Sequence, residues 1–339
     1  MTPLRPFLTT VAGGGTLARA DAATAMAVLM RGEASPEEMA GLLVGMAGRG
    51  ETVDELTGFA ETMRAFATPV RVDDPDAIDV CGTGGDLSGT FNVSTATAFV
   101  VAGAGVTVAK HGNRSVSSLT GSADVLEALG VNVNLGAAGV EACIAKTGIG
   151  FLFAPLFHPA LRPVMPVRRA LGVRTAFNVL GPLCNPAGVR RQVVGCFSAA
   201  TAEKVAGILA ALGATRALAL SSDGLDEATL AGETAVFPVE RGATTARETV
   251  TPADFGLATA PLAAIRGGSA TDNARMLLDV LSGTPGAPLD AVLLNAALAL
   301  RVAGRHDDAP EAALAAARES VASGAARARL TALVAASNA

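Results

Sequence analysis

Three stretches of this chain combine residue types that could handle a polyphosphate. The first is Gly82-Thr83-Gly84-Gly85-Asp86, whose glycines free the backbone to take positive φ and to approach a ligand closely. Successive N–H groups in such a turn form an anion cradle. Soon after it, Asn92-Val93-Ser94-Thr95 reads as a helix start, where hydroxyls and unpaired N–H groups again favour an anion. The second stretch, Lys110-His111-Gly112-Asn113-Arg114-Ser115-Val116-Ser117-Ser118, is basic, hydroxyl-rich and carries a glycine. The third, Asp223-Gly224-Leu225-Asp226-Glu227, is acidic. Carboxylates do not help to hold a polyphosphate unless a divalent cation stands between them, and Mg²⁺ prefers such hard oxygen ligands while keeping several waters. The first loop has neither a dinucleotide fingerprint nor a Walker A spacing, because no Lys-Ser or Lys-Thr closes it.

Each stretch follows a segment that reads as a strand. Residues 77–81 are an apolar run of the length of a buried parallel strand, 106–109 a second, and 216–221 a third that ends just before the acidic stretch. Open α/β sheets bind their ligands at such strand ends. Further strands are expected at 131–135, 150–154, 193–197 and 234–239, with helices at 122–129, at 202–212 and from 290 to the C-terminus. This alternation is the signature of a parallel α/β sheet.

Residues 1–70 read differently, as helices alone. A helix over 17–30 stops at Gly32, and two capping boxes follow, Ser35-Pro36-Glu37-Glu38 and Thr52-Val53-Asp54-Glu55. Behind them run the apolar stripes Met39, Leu42, Leu43, Met46 and Leu56, Phe59, Met63, Phe66. Residues 69–76, with two prolines and three aspartates, mark a domain boundary. Residues 158–188 break the α/β rhythm with five prolines and the basic residues Arg162, Arg168, Arg169 and Arg174.

Composition narrows the classes. Half of the 339 residues are apolar and 17% are charged, as in a globular chain. The net charge of −5, with no run of Lys or Arg, argues against a nucleic-acid or anionic-membrane surface. There is no stretch of 18 uninterrupted apolar residues and no secretory leader. The four cysteines, Cys81, Cys143, Cys184 and Cys196, form no CxxC pair and read as free thiols in a reducing cytoplasm.

In this order, GTGGD, NVSTATA, KHGNRSVSS and GSADVLEALG resemble the anthranilate phosphoribosyltransferase family, and the resemblance spans nearly the whole chain. It implies an α/β protein with a small all-helical domain and a larger α/β domain, whose mostly parallel central sheet is flanked by helices. The expected division is 1–72, joined by about 163–188, for the helical part, and 73–162 with 189–339 for the α/β part that binds 5-phosphoribosyl 1-pyrophosphate (PRPP). The implied reaction moves the phosphoribosyl group of PRPP to the amine of anthranilate, with Mg²⁺, two ions, as cofactor, in tryptophan biosynthesis.

Carried over residue by residue, the PRPP contacts are Gly82, Gly85, Asp86, Thr90, Asn92, Val93, Ser94, Thr95, the loop from Lys110 through His111, Gly112, Asn113, Arg114, Ser115, Val116 and Ser117 to Ser118, and Ser122. Gly82, Asn113, His158 and Arg168 match the anthranilate contacts. Ser94, Asp226 and Glu227 match the metal ligands, and Lys110, Asp226 and Glu227 carry the catalytic roles. Arg168 makes chemical sense alone, since a planar guanidinium can grip a carboxylate bidentately.

Three departures concern the shape of the substrate pocket. Many relatives have a histidine where this chain has Ser221-Ser222, a GGD then ENA pattern near Gly267-Gly268-Ser269, and a tyrosine where it has Phe157. Two other readings compete: a pyrimidine nucleoside phosphorylase-like enzyme, which would not need the Asp226-Glu227 pair, and a non-catalytic nucleic-acid-binding relative, which would want a basic surface. The apolar helical region makes a homodimer the natural assembly.

Overall fold

The computed structural model describes residues 2–84, 88–115, 120–305 and 309–339. Four helices open the chain: α1 (Arg5–Ala12), α2 (Arg19–Arg31), α3 (Pro36–Arg49) and α4 (Val53–Phe66). Both capping boxes close reciprocally. Glu38 N donates to Ser35 Oγ at 3.3 Å while Ser35 N donates to Glu38 Oε2 at 3.1 Å. At α4 the corresponding bonds between Thr52 and Glu55 are 3.1 and 2.9 Å. Gly32 ends α2 in the left-handed region at φ 68°. The apolar stripes meet in one cluster containing Met26, Leu29, Leu42, Met46, Leu56 and Phe59.

The α/β part continues with β1 (Ile78–Gly82), α5 (Val93–Gly103), β2 (Val108–Gly112), α6 (Ser122–Ala128), α7 (Ala137–Thr147) and β3 (Ile149–Phe153). Three short helices follow, α8 (Ala154–Phe157), α9 (Met165–Leu171) and α10 (Phe177–Leu183), with Pro182 inside the last. Val164, Val167, Phe177 and Leu180 are buried in the same cluster as the apolar faces of α2, α3 and α4. The chain then returns through β4 (Arg191–Gly195), α11 (Ala199–Ala211), β5 (Arg216–Ser221), β6 (Thr234–Glu240), β7 (Ala243–Thr244) and β8 (Glu248–Val250). It closes with α12 (Ala270–Leu281), α13 (Ala287–Val302), α14 (Pro310–Ala322) and α15 (Ala325–Ser337).

The sheet runs β3-β2-β1-β4-β5-β6-β7, with β8 beside β6. Its first five strands are parallel, while β6, β7 and β8 join antiparallel. After β1 the chain builds outward through β2 and β3, then crosses back to place β4 on the other side of β1. Such a reversal leaves a crevice at the carboxyl ends of the strands. β1 and β4 pair along their whole length, down to Gly82 opposite Gly195. On its other side β1 registers with β2 through Ile78 opposite Val108. One sheet face carries the cluster of Val80, Phe99, Val193, Leu218 and Leu294; the other is covered by α11 and the helical region.

Several elements differ from the sequence expectation. Residues 131–135 form no strand. Their alternation is real, since Val131 and Val133 are buried, but the backbone N–H groups between go to side chains: Asn132 N to Ser337 Oγ and Asn134 N to Asn132 Oδ1. Local bonds of this kind compete with a ladder. The short hairpin of β7 and the β8 strand were not expected, nor was α1.

Candidate active site

The acidic stretch lies across the ends of β1 and β4 because both strands finish in glycine. A Cβ on Gly82 would sit 2.8 Å from Cγ of Asp226 and closer still to Oδ2, and one on Gly195 would run into the Asp226 carbonyl. The loop is held in place by bonds at both ends. Ser222 Oγ donates to the Glu227 carbonyl at 2.7 Å, and Ala228 N donates to Asn295 Oδ1 at 3.0 Å. Asp223 takes φ 45°, a left-handed conformation that Asp tolerates better than most residues.

From this position the two carboxylates reach the two anion-favouring turns. Gly84, at φ 67°, donates its N–H to Asp226 Oδ2 at 2.8 Å. Ser94, in the first turn of α5, donates its N–H to Glu227 Oε1 at 2.9 Å. Residues far apart in sequence thus meet around one point. Lys110 joins them from β2: its ammonium is buried, donating to the Val80 carbonyl at 2.6 Å and to Ser94 Oγ at 3.3 Å.

Asp226, Glu227 and the Ser94 hydroxyl form a hard oxygen donor set. Among the described residues no group of three or more His, Cys, Asp or Glu could enclose a metal by itself. Two carboxylates and a hydroxyl therefore fit Mg²⁺, which keeps waters and takes phosphate oxygens from its substrate.

The second loop is pinned to α6. Ser122 Oγ and Ala123 N both donate to the Asn113 carbonyl at 3.2 Å. Arg114 pairs with Asp124 at 2.9 Å and with Glu127, and its guanidinium lies 5.4 Å above the Phe153 ring. Gly121 has no room for a side chain, since a Cβ would strike the Arg114–Ser115 backbone. The two loops are tied together by Asn92, whose Nδ2 donates to the Thr120 carbonyl at 3.2 Å while its Oδ1 accepts from Asn273 Nδ2 at 3.0 Å. Asn273 also accepts from Gly268 N at 2.7 Å, and Thr90 bridges to Arg266. Gly85, Asp86, Val116, Ser117 and Ser118 lie outside the described residues.

His111 and His158 pack against each other in a tilted pair, with ring centroids 5.2 Å apart and planes at 58°. Burial pushes the His111 pKa down to about 3, helped by the neighbouring His158, and lowers that of His158 to about 4. Both rings are therefore neutral at pH 7. His111 Nε2 and both nitrogens of His158 are buried without a hydrogen-bond partner among the described residues; the Cys184 backbone near His158 favours its proton without completing a bond. Arg168, on α9, lies 4.8 Å over the Phe177 ring, with Nη1 3.8 Å from Met165 Sδ. Burial lowers its pKa, and no carboxylate pairs with it among the described residues. Nor, among those residues, does a hydrogen bond join it to Asn113 or His158.

A strand-order reversal whose edge gathers two carboxylates, two anion-favouring turns and a buried lysine is the layout of an α/β enzyme that takes an anionic substrate. Residues 74–327 match the family described as "Glycosyl transferase family, a/b domain", and residues 5–67 match "Glycosyl transferase family, helical bundle domain". The anthranilate phosphoribosyltransferase of Salinibacter ruber is 52% identical over 333 residues, 95% of each chain. The crystal structure of the Thermus thermophilus enzyme superposes with a TM-score of 0.93 at 44% identity, covering 98% of this chain and 99% of that one. The Saccharomyces cerevisiae enzyme, in complex with PRPP and Mg, gives 0.90 at 26% identity over 99% and 98%. The chain belongs to the anthranilate phosphoribosyltransferase family. It is accordingly a phosphoribosyltransferase.

The sequence reading gives Gly195 and Asn295 no role, and meets Ser222 and Asn273 only as departures from relatives. Gly195 falls inside the strand expected at 193–197, and its closeness to Asp226 has no local signal.

Proposed function

We propose that this chain moves the 5-phosphoribosyl group of PRPP to the amine of anthranilate, releasing pyrophosphate, in the tryptophan pathway, and that its site residues divide the work as follows. The observation that carries the assignment is the meeting of Asp226 and Glu227 with the Gly84 and Ser94 N–H groups beside the buried Lys110 ammonium. The residues that would contact PRPP are those of the first turn from Gly82 to Thr95, the loop that starts at Lys110, and Ser122. Ser94, Asp226 and Glu227 would hold Mg²⁺, as two ions, whose charge would offset that of the pyrophosphate.

Breaking the C1–O bond places negative charge on the leaving pyrophosphate and oxocarbenium character on the sugar. Lys110, held against the Val80 carbonyl, keeps its charge fixed beside the leaving group, so little reorganisation is needed as the bond breaks. The aryl amine is neutral at pH 7 and attacks C1 directly, then sheds a proton. That proton passes to solvent or to the departing pyrophosphate, and His111 and His158, neutral at pH 7, line the acceptor side. Arg168, desolvated and without a carboxylate partner among the described residues, binds the carboxylate of anthranilate, with Asn113 and Gly82 completing that side.

Free buried cysteines suit a cytoplasmic enzyme, and no helix is long and apolar enough to cross a membrane among the described residues. Val44, 44% exposed on α3, supports a homodimer through the helical region. Pyrophosphate release in the presence of anthranilate, PRPP and Mg²⁺ tests the assignment. Glu227→Gln should lower the rate by about 10²-fold; a full rate in that variant would overturn this division of roles.

A further inference from the structure

Asp79 is a charged residue in the middle of β1, fully buried, and no role falls to it in the reaction as described. A carboxylate in such a place is costly unless every oxygen is bonded. Its Oδ1 accepts from the backbone N–H of His111 at 3.1 Å and its Oδ2 from Asn185 Nδ2 at 2.8 Å. Burial still raises its pKa on balance, against the lowering pull of the Lys110 charge and of the bonds from Asn185 and His111. Asn185 is as fully used. Its amide also donates to the Ala109 carbonyl at 2.8 Å, and its Oδ1 accepts from Ala187 N at 2.8 Å.

These bonds stand where the sheet ladder parts. Toward their carboxyl ends β1 and β2 exchange side-chain bonds: Asp79 takes the His111 N–H and the Val80 carbonyl takes the Lys110 ammonium. The end of β2, which carries Lys110 and His111, is thus set by a side chain of β1. Asn185 lies on the segment returning from α10, whose last carbonyl, that of Leu183, accepts from Arg64 Nε of α4 at 2.6 Å. The Asp79–Asn185 pair therefore links three things: β1, the histidine pair, and the strap leading back from the helical region.

We propose that Asp79, acting with Asn185, is a positioning residue that fixes the backbone of His111, and through the tilted ring contact His158, on the acceptor side of the site. The inference rests on the reading of His111 and His158 as acceptor-side residues. Asp79→Asn sets one amide against another at Asn185, and Asn185→Ala leaves Asp79 Oδ2 and the Ala109 carbonyl without that donor. Neither change removes a partner of the Lys110–Val80 bond, but Asp79→Asn also takes away a negative charge near Lys110, which Asn185→Ala keeps.

The test is steady-state kinetics on both single variants and the double, with folded sites counted by calorimetric titration of PRPP with Mg²⁺. Each single variant should raise KM for anthranilate about tenfold or more, as a small misplacement can, while in Asn185→Ala, which keeps the Asp79 charge near Lys110, the dissociation constant for PRPP stays within about twofold. The double should be no worse than the worse single, because the two residues act as one device. Unchanged KM for anthranilate in folded variants, multiplied losses in the double, or failure of both variants to fold would overturn the proposal, the last assigning the pair to stability alone. Lack of PRPP binding or turnover in the unaltered chain would sink the reading of the site itself.

Discussion

Asp226 can reach the phosphate turn only because Gly82 and Gly195 leave the ends of β1 and β4 bare. Gly82→Ala should displace the carboxyl and lower kcat/KM by about 10²-fold, with the Mg²⁺ concentration for half-maximal rate rising in a metal titration. Gly195→Ala, which meets backbone and not a flexible tip, should yield little folded protein. Arg168→Ala should raise KM for anthranilate by about tenfold or more while PRPP binding persists, since one charge-assisted contact is lost. The neutral histidines make a pH prediction. Between pH 6.5 and about pH 4 the unfolded chain binds protons that folded His111 and His158 refuse, so stability falls as pH falls, by roughly 1.4 kcal/mol per unit for each. Thermal melts from about pH 7 down to about pH 5.5 should show that loss, and His158→Gln should shrink it. The acidic pair and Lys110 were legible because their types are chemically odd near a strand end. Gly195 and Asn273 were not, because what they do depends on partners far along the chain, Asp226 and Asn92.

At the scale of elements, the capping boxes were the clearest signals, since their bonds are local and the sequence contains both partners. Glu55 does more than its box requires. It is fully buried and accepts from Leu17 N at 2.8 Å and from Arg49, so it joins the entry of α2 to the end of α3. Burial pulls its pKa up, but the bonds from Arg49, Leu17 and Thr52 outweigh that and hold it below the usual carboxylate range. Thr52→Ala should cost about 1 kcal/mol in a denaturant melt, as for other lost caps. Glu55→Ala should cost roughly 3 kcal/mol, because it strands a partly buried arginine and two N–H groups. The stretch at 131–135 failed as a strand for the opposite reason: alternation reports burial, and Asn132 and Asn134 divert the backbone bonds a ladder would need. The β1–β2 parting was invisible in sequence for the same cause, being made by Asp79 and Lys110 side chains.

For the whole molecule, the sheet supplies one edge where loops from β1, β2 and β5 converge, and the helical region covers one face beside it. The strap of α9 and α10 carries Arg168 from that helical cluster, so the carboxylate anchor and the phosphate cradle we propose are held by different parts of the chain. The assembly prediction belongs here: light scattering should give a dimer at micromolar concentration, and a charge at Val44 should weaken it. The most direct test of the central claim is the loss of anthranilate fluorescence with time in the presence of PRPP and Mg²⁺, with and without EDTA. The account predicts a loss that EDTA abolishes and that Arg168→Ala slows through anthranilate affinity. Persistent fluorescence while PRPP and Mg²⁺ are bound would contradict it, leaving the phosphate site standing and the acceptor wrong.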